Sequence, residues 1–578
     1  MLIPFLILGS LEIGLRVFGY QKDAQELFIE VESNPDYLVA NTKFIERYFP
    51  AFVPQVAPNA FKKEKAPNTF RVFVFGGSSA VGFPYNFYYS FADQLEQKLL
   101  LRTEGVNIEV VNLGMTAVNS YVIHDLSKRV DDFEPDAIII YAGHNEFYGS
   151  FGAASTQFSV VNNVGIKRLI LWLKDWRLYQ FLESLIPADT GEQGDRRTMM
   201  AKVVKHADIK QDSEIFNDGI QQFEANLGDV ISSFTTKEIP VFIGTVASNL
   251  KDQDPLSDSQ IALLAFEEGQ SLFAAGDTTK ALAKFIKAKE LDEVRFRAPN
   301  AINEVIKGFA DVAQVYIVDV KEVLRQNSES GIEDASLFID HLHPNFNGHF
   351  IMADVFFEEI TKIPLINRNL IDTIFERPNR ISQFEETYST VAIERLLAGY
   401  PFTKGISQEE ELANFNAIYN QYEQRSYIDS LAAFTAKTQQ VVPEKLTEVI
   451  NYARVNNDSL AFISHYYELL KWQLNSISLI EKGTEYAINN RANDLYLLNM
   501  MLQVVNDGNT DPRYMDVISS LYLINNRPQN AKYWLERSEK MDPNSSRMLY
   551  NFARYHLVTG DSLTGQDYFR RFLETQQR

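Results

Sequence analysis

The chain has 578 residues, 45% of them hydrophobic and 12% aromatic, which is enough for two or three packed domains and excludes a disordered chain. A formal net charge of -21, with no Lys/Arg-rich run to offset it, argues against nucleic acid as a partner because phosphate backbones would be repelled. The absence of cysteine excludes disulfides, cysteine-ligated zinc and thiol nucleophiles, and leaves the compartment undecided.

The N-terminus begins with an apolar run, MLIPFLILGSL, which Glu12 and Arg16 interrupt. This run is shorter than the ~20 apolar residues that span a bilayer and is closer to the ~7–15 residue stretch of a signal peptide, although the usual preceding basic segment is missing. Because no A-x-A-like cleavage site follows, we expect residues 1–20 to be a membrane anchor that is retained at an extracytoplasmic face. The alternative is that these residues form a buried N-terminal helix. Residues 21–67 are expected to be a lead-in to the next domain.

Between residues 68 and 364, short β-branched runs alternate with longer helical patterns. Such runs, buried on both faces and separated by helices, are typical of βαβ units and a mainly parallel sheet. The pattern predicts a three-layer α/β/α domain with a five-stranded sheet. The predicted strands are 70–75, 108–112, 136–141, 240–245 and 315–320, and helices are predicted at 90–100 and 213–234.

Two segments interrupt this domain. Residues 186–212 are polar and lack periodicity, which predicts a long surface loop. Residues 259–292 contain small and apolar residues at the spacing of one tetratricopeptide repeat, a helical hairpin that must pack on something else to bury its face. The residues that fit this spacing are Gly269, Leu272, Gly276, Ala281, Phe285 and Ala288.

A further segment, residues 165–187, combines basic residues with tryptophans and many leucines. This composition is typical of a helix that lies at a membrane interface. A helix packed on the α/β domain is the alternative interpretation. The residues concerned are Lys167, Arg168, Lys174, Arg177, Trp172 and Trp176.

After residue 365 the strand pattern ends and helical periodicity continues to the C-terminus. We expect residues 365–578 to form an all-α, tetratricopeptide-like domain. Such arrays usually present a concave surface to a peptide or protein, and a structural buttress for the preceding domain is an equal alternative. The residues that fit the 34-residue period are Ala531, Leu535, Pro543, Gly560, Gly565 and Phe569.

The first candidate functional block is FGGSSAVG (75–82), directly after a predicted strand. Its two glycines allow a sharp turn that would expose the hydroxyl and N–H of Ser78. A phosphate loop is disfavoured because the G-x-G-x-x-G and G-x-x-x-x-G-K patterns are absent, and Ala80 breaks the G-x-S-x-G pattern. Ser79 is the rival nucleophile.

Two other blocks also follow predicted strands, where a parallel sheet holds its ligands. In VVNLGMTAVNS (110–120), Gly114 could turn its amide towards the same point, although a glycine after a strand is commonly only a turn. In IIIYAGHNEFYG (138–149), Asn145 offers a neutral side-chain donor, with a turn or helix cap as the alternative.

The fourth block, FIDHLHPNFNGHF (338–350), follows the last predicted strand. Asp340 and His343 lie three residues apart, a spacing that lets the carboxylate hold the imidazole Nδ1–H while Nε2 faces a serine. Histidines are concentrated in these blocks, which would also suit a metal site, but no H-x-E-x-x-H or paired carboxylate set accompanies them. We therefore predict neither a metal nor another cofactor.

In order and context, the four blocks resemble the signature blocks of the SGNH (GDSL-like) hydrolases, over about residues 68–362. The resemblance implies a Ser78, His343 and Asp340 triad, with an oxyanion hole formed by Ser78, Gly114 and Asn145. Gly77 and Glu146 depart from the family, which has aspartate at the first position and often at the second.

What the resemblance implies is acyl transfer through an acyl-enzyme. The anchor segment and acidic body favour a carbohydrate O-acetyl esterase of the cell envelope. The alternatives are an O-acyltransferase partner for envelope polysaccharide, a lipid esterase, or a tetratricopeptide scaffold with a hydrolase-like core. The expected partners are an ester substrate, the membrane through the N-terminal segment, and a protein through the tetratricopeptide-like region.

Overall fold

The computed structural model describes residues 2–155, 163–185, 208–371, 381–458 and 511–576, apart from short gaps in the first and fourth ranges, with scattered positions between 459 and 510. The strands, in chain order, are β1 Phe28–Val31, β2 Asn34–Ala40, β3 Phe61–Lys62, β4 Thr69–Gly76, β5 Asn107–Asn112, β6 Ala137–Tyr141, β7 Val241–Gly244 and β8 Val315–Val318.

Helices surround these strands and make up the described C-terminal part of the chain. Those before residue 372 are α1 Leu2–Val17, α2 Thr42–Ile45, α3 Ser78–Val81, α4 Phe91–Arg102, α5 Ser120–Ser127, α6 Val164–Leu173, α7 Arg177–Ser184, α8 Glu214–Thr235, α9 Gln260–Ala274, α10 Thr278–Leu291, α11 Asn300–Lys307, α12 Val320–Asn327, α13 Phe346–Ile360 and α14 Pro364–Asn367. Those after it are α15 Gln383–Leu397, α16 Gln408–Glu423, α17 Tyr427–Thr438, α18 Pro443–Val455, α19 Pro512–Ile524, α20 Pro528–Met541, α21 Ser546–Val558 and α22 Ser562–Gln576. Short 3-10 helices lie at Lys22–Ala24, Glu46–Tyr48 and Asp131–Phe133.

The centre of the molecule is a five-stranded parallel sheet in the order β5-β4-β6-β7-β8. Every residue of β4, β6 and β7 is buried, because helices cover the sheet on both faces. The edge strand β8 is only partly buried, and its Tyr316 is exposed. The five predicted strands and the two predicted helices are confirmed to within two residues at each end.

The lead-in packs against this sheet. Strands β1, β2 and β3 form a small antiparallel sheet. The ring of Phe61 lies edge-to-face against Phe28 at 4.9 Å and against Phe73 of β4 at 5.7 Å. The lead-in therefore belongs to the same hydrophobic core as the parallel sheet.

The two predicted helical additions are helical in the structure. In the insert, α9 and α10 form a hairpin, and a Cβ added at Gly269 would lie 2.9 Å from the Phe285 ring, so only glycine allows this close approach. The described part of the C-terminal region after residue 381 consists of helices joined by turns and loops. The tetratricopeptide character of both parts stays a prediction.

Three other predicted segments are the interfacial helix, the long surface loop and the membrane anchor. The described part of the predicted interfacial segment 165–187 forms two short helices, α6 and α7, with a break at 174–176. The predicted loop 186–212 lies largely outside the described residues, since the structure resumes only at 208. Among the helices of the described part of the chain, none has both the length and the apolarity needed to cross a membrane.

A buried carboxyl on α4 makes the stability of this fold depend on pH. Glu96 accepts a hydrogen bond from the Val110 N–H at 3.0 Å, and burial raises the pKa of Glu96 to about 8. A folded-state pKa above the unfolded value means that the stabilisation is complete below about pH 4.5 and is lost as pH rises through 8. The Glu146 carboxyl, whose pKa burial raises to about 7, acts in the same direction.

We expect Glu96→Gln to keep the acceptor for Val110 and to remove most of this pH dependence. Urea unfolding at pH 5, 6.5 and 8 should show the wild-type free energy of unfolding falling by up to about 1.4 kcal/mol per pH unit from this group, and a shallower fall in the variant. Replacing the exposed Glu224 of α8 by glutamine is the control and should leave the slope unchanged. Equal slopes for wild type and Glu96→Gln would contradict the prediction.

Candidate active site

The candidate site lies at the carboxyl edge of the parallel sheet. Strands β5 and β6 flank β4, so the connections after β4 and β6 leave the sheet on opposite sides and open a crevice between them. Ser78 directly follows β4 and Asn145 follows β6. The loop with Asp340 and His343 lies between β8 and α13, after the short helix α12.

The turn that carries Ser78 depends on two glycines. Gly76 ends β4 and Gly77 precedes α3, whose first residue is Ser78. A Cβ on Gly76 would lie 2.2 Å from the Tyr141 carbonyl oxygen, and one on Gly77 would lie 2.8 Å from Asn145 Nδ2. Only glycine therefore allows the chain to turn between β4 and α3 and leaves room for the Asn145 amide beside Gly77, the residue before Ser78.

Three of the predicted site residues form one hydrogen-bonded line. The Oγ of Ser78 lies 2.7 Å from His343 Nε2, and His343 Nδ1 lies 2.6 Å from Asp340 Oδ2. The Asp340 side chain is fully buried and Ser78 is partly exposed, so the line runs from the interior to the crevice. This arrangement allows the imidazole to take the serine proton while the carboxylate orients the ring.

The Asp340 carboxylate is held in its ionised form. Its Oδ1 accepts the backbone N–H groups of Leu342 at 2.9 Å and His343 at 2.8 Å. Burial opposes ionisation, but the neighbouring His343 and His341 imidazoles outweigh it and hold the pKa of Asp340 well below its usual range. A negative charge at this position stabilises the imidazolium that forms when His343 accepts a proton.

The rival nucleophile, Ser79, points away from this line. The residue is 3% exposed, and among the described residues no hydrogen-bond partner contacts its Oγ. A hydroxyl without a base in contact has no means of losing its proton. The geometry therefore favours Ser78 over Ser79.

Asn145 is held beside Ser78 by the turn after β6. Its neighbour Glu146 accepts hydrogen bonds from Ser120 Oγ at 2.7 Å and from the Ser120 N–H at 3.1 Å. Asn226 of α8 donates to the same Ser120 hydroxyl at 2.9 Å. This buried network ties the β6 turn to the start of α5 and fixes the position of the Asn145 amide.

The oxyanion role predicted for Gly114 stays a prediction, and in the structure the Gly114 amide already has another partner. Its N–H donates to Asn112 Oδ1 at 2.9 Å, while Asn112 Nδ2 donates to the Ala80 carbonyl at 2.9 Å. A Cβ on Gly114 would lie 2.6 Å from the Val81 nitrogen. The glycine thus allows the β5 turn to pack under α3, and its amide is already engaged.

Ala117, which the sequence analysis did not select, lies in the same loop after β5 as Gly114. It has a φ of 59°, is partly exposed, and within the described residues no hydrogen-bond acceptor faces its N–H. Its carbonyl accepts the Ser150 N–H at 3.2 Å, which ties it to the turn that carries Asn145. The left-handed conformation usually signals glycine, so an alanine here gave no signal in the sequence.

The other histidines of the four blocks are buried, which disfavours their charged form. The ring of His144 accepts the Ala298 N–H at 3.1 Å, and burial lowers the pKa of His144 to about 3. The Nδ1 of His341 lies 3.4 Å from Asp340 Oδ2, and burial lowers the pKa of His341 as well. Asp340, His341 and His343 are close enough together to hold a metal ion, but both ring nitrogens of His343 already contact Asp340 and Ser78.

Aromatic rings form the walls around this line. The ring of Phe83 lies 4.7 Å from that of His343. Phe402, which follows α15 in the C-terminal region, lies edge-on to His341 at 5.1 Å. The helical C-terminal region therefore contributes directly to the surroundings of the site.

We expect Asn145→Ala to lower kcat for ester hydrolysis by ~10²–10³-fold with little change in KM, because one donor to the developing oxyanion is lost. Gly77→Ala should reduce kcat in the same direction, since its Cβ would displace the Asn145 amide. Steady-state kinetics with circular dichroism as the folding check measures both. A loss of less than about fivefold in folded Asn145→Ala would exclude the amide from the oxyanion hole.

Neither a protein-family model nor a curated protein matches the chain. Among solved structures, a variant of an acetyl-xylooligosaccharide esterase from Geobacillus stearmophilus is 16% identical, with 53% of this chain and 97% of that one covered and a TM-score of 0.28. A lipase/acylhydrolase from Enterococcus faecalis is 14% identical, with 53% and 100% covered and a TM-score of 0.27. A GDSL-like lipase from Bacteroides thetaiotaomicron is 12% identical, with 50% and 88% covered and a TM-score of 0.26. These likenesses are too weak to assign an activity, which rests on the site itself.

Proposed function

We propose that this protein is a serine esterase of the SGNH type, with Ser78 as nucleophile, His343 as general base and Asp340 as the residue that orients His343. The observation that carries the proposal is the hydrogen-bonded line of 2.7 Å and 2.6 Å between these three side chains. It ends on a serine in the crevice of the parallel sheet, where open α/β folds bind their ligands.

In the proposed reaction, Ser78 Oγ attacks an ester carbonyl while His343 Nε2 takes its proton. The tetrahedral intermediate collapses to an acyl-enzyme as the imidazolium protonates the departing alcohol. Water then attacks the acyl group with the same assistance from His343, which releases the acid and restores Ser78. Asp340 keeps the imidazole in the productive tautomer throughout.

Three donors would hold the oxyanion. They are the N–H of Ser78 at the first position of α3, the free N–H of Ala117 and the Asn145 side-chain amide. Ala117 replaces the Gly114 of the sequence-based prediction, whose N–H donates to Asn112. Donors fixed by a folded backbone stabilise charge without reorganising at the moment of reaction.

As substrate class we propose O-acetylated carbohydrate of the cell envelope, at an extracytoplasmic membrane face. The support is the exposed apolar N-terminal helix α1 together with the acidic net charge of -21. A protein partner for the C-terminal helical region is part of the same proposal. No residue of the site favours an acyltransferase over an esterase, since the two differ only in whether a sugar hydroxyl or water reaches the acyl-enzyme.

The test has two parts. A fluorophosphonate probe should label the wild-type protein, with the modification located by mass spectrometry in the peptide that contains Ser78. Hydrolysis of p-nitrophenyl esters of increasing acyl length should be fastest for acetate if the substrate is an O-acetyl group. A folded protein that neither takes up the probe nor hydrolyses any ester would overturn the esterase proposal, and a preference for long chains would overturn only the substrate class.

A further inference from the structure

The N-terminal helix α1 buries its acidic residue and exposes apolar ones, which is the reverse of an ordinary surface helix. Its acidic residue, Glu12, is 5% exposed, whereas Leu6 is 64% exposed and Ile13 is 64% exposed. Other apolar side chains along the same helix and the turn after it are also open to solvent. These are Ile7, Leu8, Leu11, Val17 and Phe18.

The buried carboxylate of Glu12 attaches α1 to α7. It accepts the backbone N–H groups of Arg177 at 3.2 Å and Leu178 at 2.8 Å, so it caps the start of α7. The Arg177 guanidinium donates to the Tyr20 carbonyl, and the Tyr20 ring lies edge-on to Phe181 at 5.8 Å. Polar contacts thus fix the two helices together while their apolar side chains face outwards.

Helices α6 and α7 also expose apolar side chains. Trp172 is 52% exposed, and its ring lies 5.2 Å from that of Trp176 at the break between the helices. The other exposed apolar residues of this pair are Ile166, Leu169, Phe181, Leu182 and Leu185. We call the exposed apolar residues of α1, α6 and α7, with Phe18, the apolar face.

The charged groups of α6 and α7 are directed to partners within the protein. Arg168 pairs with Asp229 at 2.6 Å. Lys174 is buried and pairs with Glu183 at 2.6 Å. The face is therefore apolar without being basic, and it would bind through its hydrocarbon surface rather than through anionic headgroups.

Three further hydrogen bonds fix the apolar face to the catalytic domain. Lys167 Nζ, on α6, donates to the Phe151 carbonyl at 2.7 Å. Asp175, in the break between α6 and α7, accepts hydrogen bonds from Arg47 at 2.7 Å and from Arg129 at 2.8 Å. Because these contacts hold the apolar face to the catalytic domain, whatever covers the face would also set the orientation of the domain.

We propose that the apolar face lies in the plane of a lipid bilayer and holds the catalytic domain against it. Leucine and isoleucine side chains on a helix that buries its only carboxylate can enter the hydrocarbon region of a bilayer. The adjacent tryptophan pair is of the kind that lies at the headgroup boundary. A protein partner would be expected to meet a rim of unpaired polar groups, whereas Arg168 and Lys174 are already paired within the protein.

The proposal is tested by flotation of the full-length chain with neutral phosphatidylcholine vesicles at low and high salt. Wild type should float at both, and Leu169→Glu with Leu182→Glu should lower the bound fraction by about tenfold or more, because two side chains that enter hydrocarbon become charged. Ile261→Glu with Leu264→Glu, a matched pair on the exposed surface of α9, should float like wild type.

Tryptophan fluorescence gives a second measurement, since Trp172 and Trp176 are two of only four tryptophans in the chain. Brominated phosphatidylcholine should quench wild type more than Trp172→Phe with Trp176→Phe. The proposal would be overturned if wild type failed to float or if the Leu169/Leu182 variant floated equally well. A dimer that forms without lipid and that dissociates in this variant would also overturn it. Ser78→Ala should float like wild type, because Ser78 is not part of the apolar face. The flotation result is therefore independent of the esterase proposal.

Discussion

Ser78→Ala is expected to lower kcat for ester hydrolysis by about 10⁵–10⁶-fold while leaving the fold intact. The hydroxyl is the group that forms the acyl-enzyme, and its loss leaves His343 with nothing to deprotonate except water. The variant should also lose all fluorophosphonate labelling. Ser78 is partly exposed at the start of α3, so its replacement removes no core contact and should not change the unfolding midpoint.

Ser79→Ala is the matched control, since it makes the same chemical change one residue away. The Ser79 hydroxyl is buried without a hydrogen-bond partner, so its removal should leave kcat within a few-fold of wild type and should not lower stability. The reverse result, with Ser79→Ala inactive and Ser78→Ala active, would reassign the nucleophile. Equal, high activity in both variants would remove serine from the mechanism altogether.

The parallel sheet could be predicted because its pattern is local. Strand β6 and the part of β4 from Val72 to Phe75 are continuous apolar runs, which is what burial on both faces requires, and the helices between them show ordinary amphipathic spacing. Ser78, Asp340 and His343 could also be selected, because Ser78 comes soon after β4 and the other two lie in the loop before α13. Their meeting at 2.7 Å and 2.6 Å follows once the strands are parallel and share one carboxyl edge.

The oxyanion donors were harder to predict because a backbone N–H has no side-chain signature. Gly114 drew attention as a glycine after a strand, but the structure uses it to let the β5 turn pass under α3. Ala117 carries the left-handed conformation at φ 59° without the glycine that usually marks it. The contact of Phe402 with His341 joins regions far apart in sequence, so no local pattern contains it.

The N-terminal segment was predicted from composition alone, and composition cannot show which side of a helix is covered. The apolar run suggested either an anchor or a buried helix. In the structure α1 is docked through Glu12, the residue that interrupts the run, and its leucines remain exposed. The polar residue decides the orientation because a buried carboxylate needs donors, and the free N–H groups at the start of α7 supply them.

Asp340→Asn is expected to lower kcat by about 10⁴-fold with no loss of folded structure. The two backbone N–H groups that bond Oδ1 should hold the asparagine carbonyl in the same place, so the new NH₂ would face His343 Nδ1. The asparagine NH₂ would donate a hydrogen bond to His343 Nδ1, whereas the Asp340 carboxylate accepts one from it. The imidazole would then carry its proton on Nε2, and that nitrogen could no longer accept the Ser78 proton.

Asp334→Asn supplies the control, because it makes the same change six residues earlier in the same loop. The Asp334 carboxylate accepts from the Ser336 N–H at 3.0 Å and from Ser330 Oγ at 2.6 Å, and it makes no contact with the triad. Its amide variant should keep kcat within a few-fold of wild type. If Asp340→Asn lost less than about tenfold, Asp340 would not orient His343, and the tautomer would have to be set by another group. His341, with Nδ1 3.4 Å from the same Oδ2, would then be the next residue to replace, because it is the nearest group that could take over the carboxylate's contact.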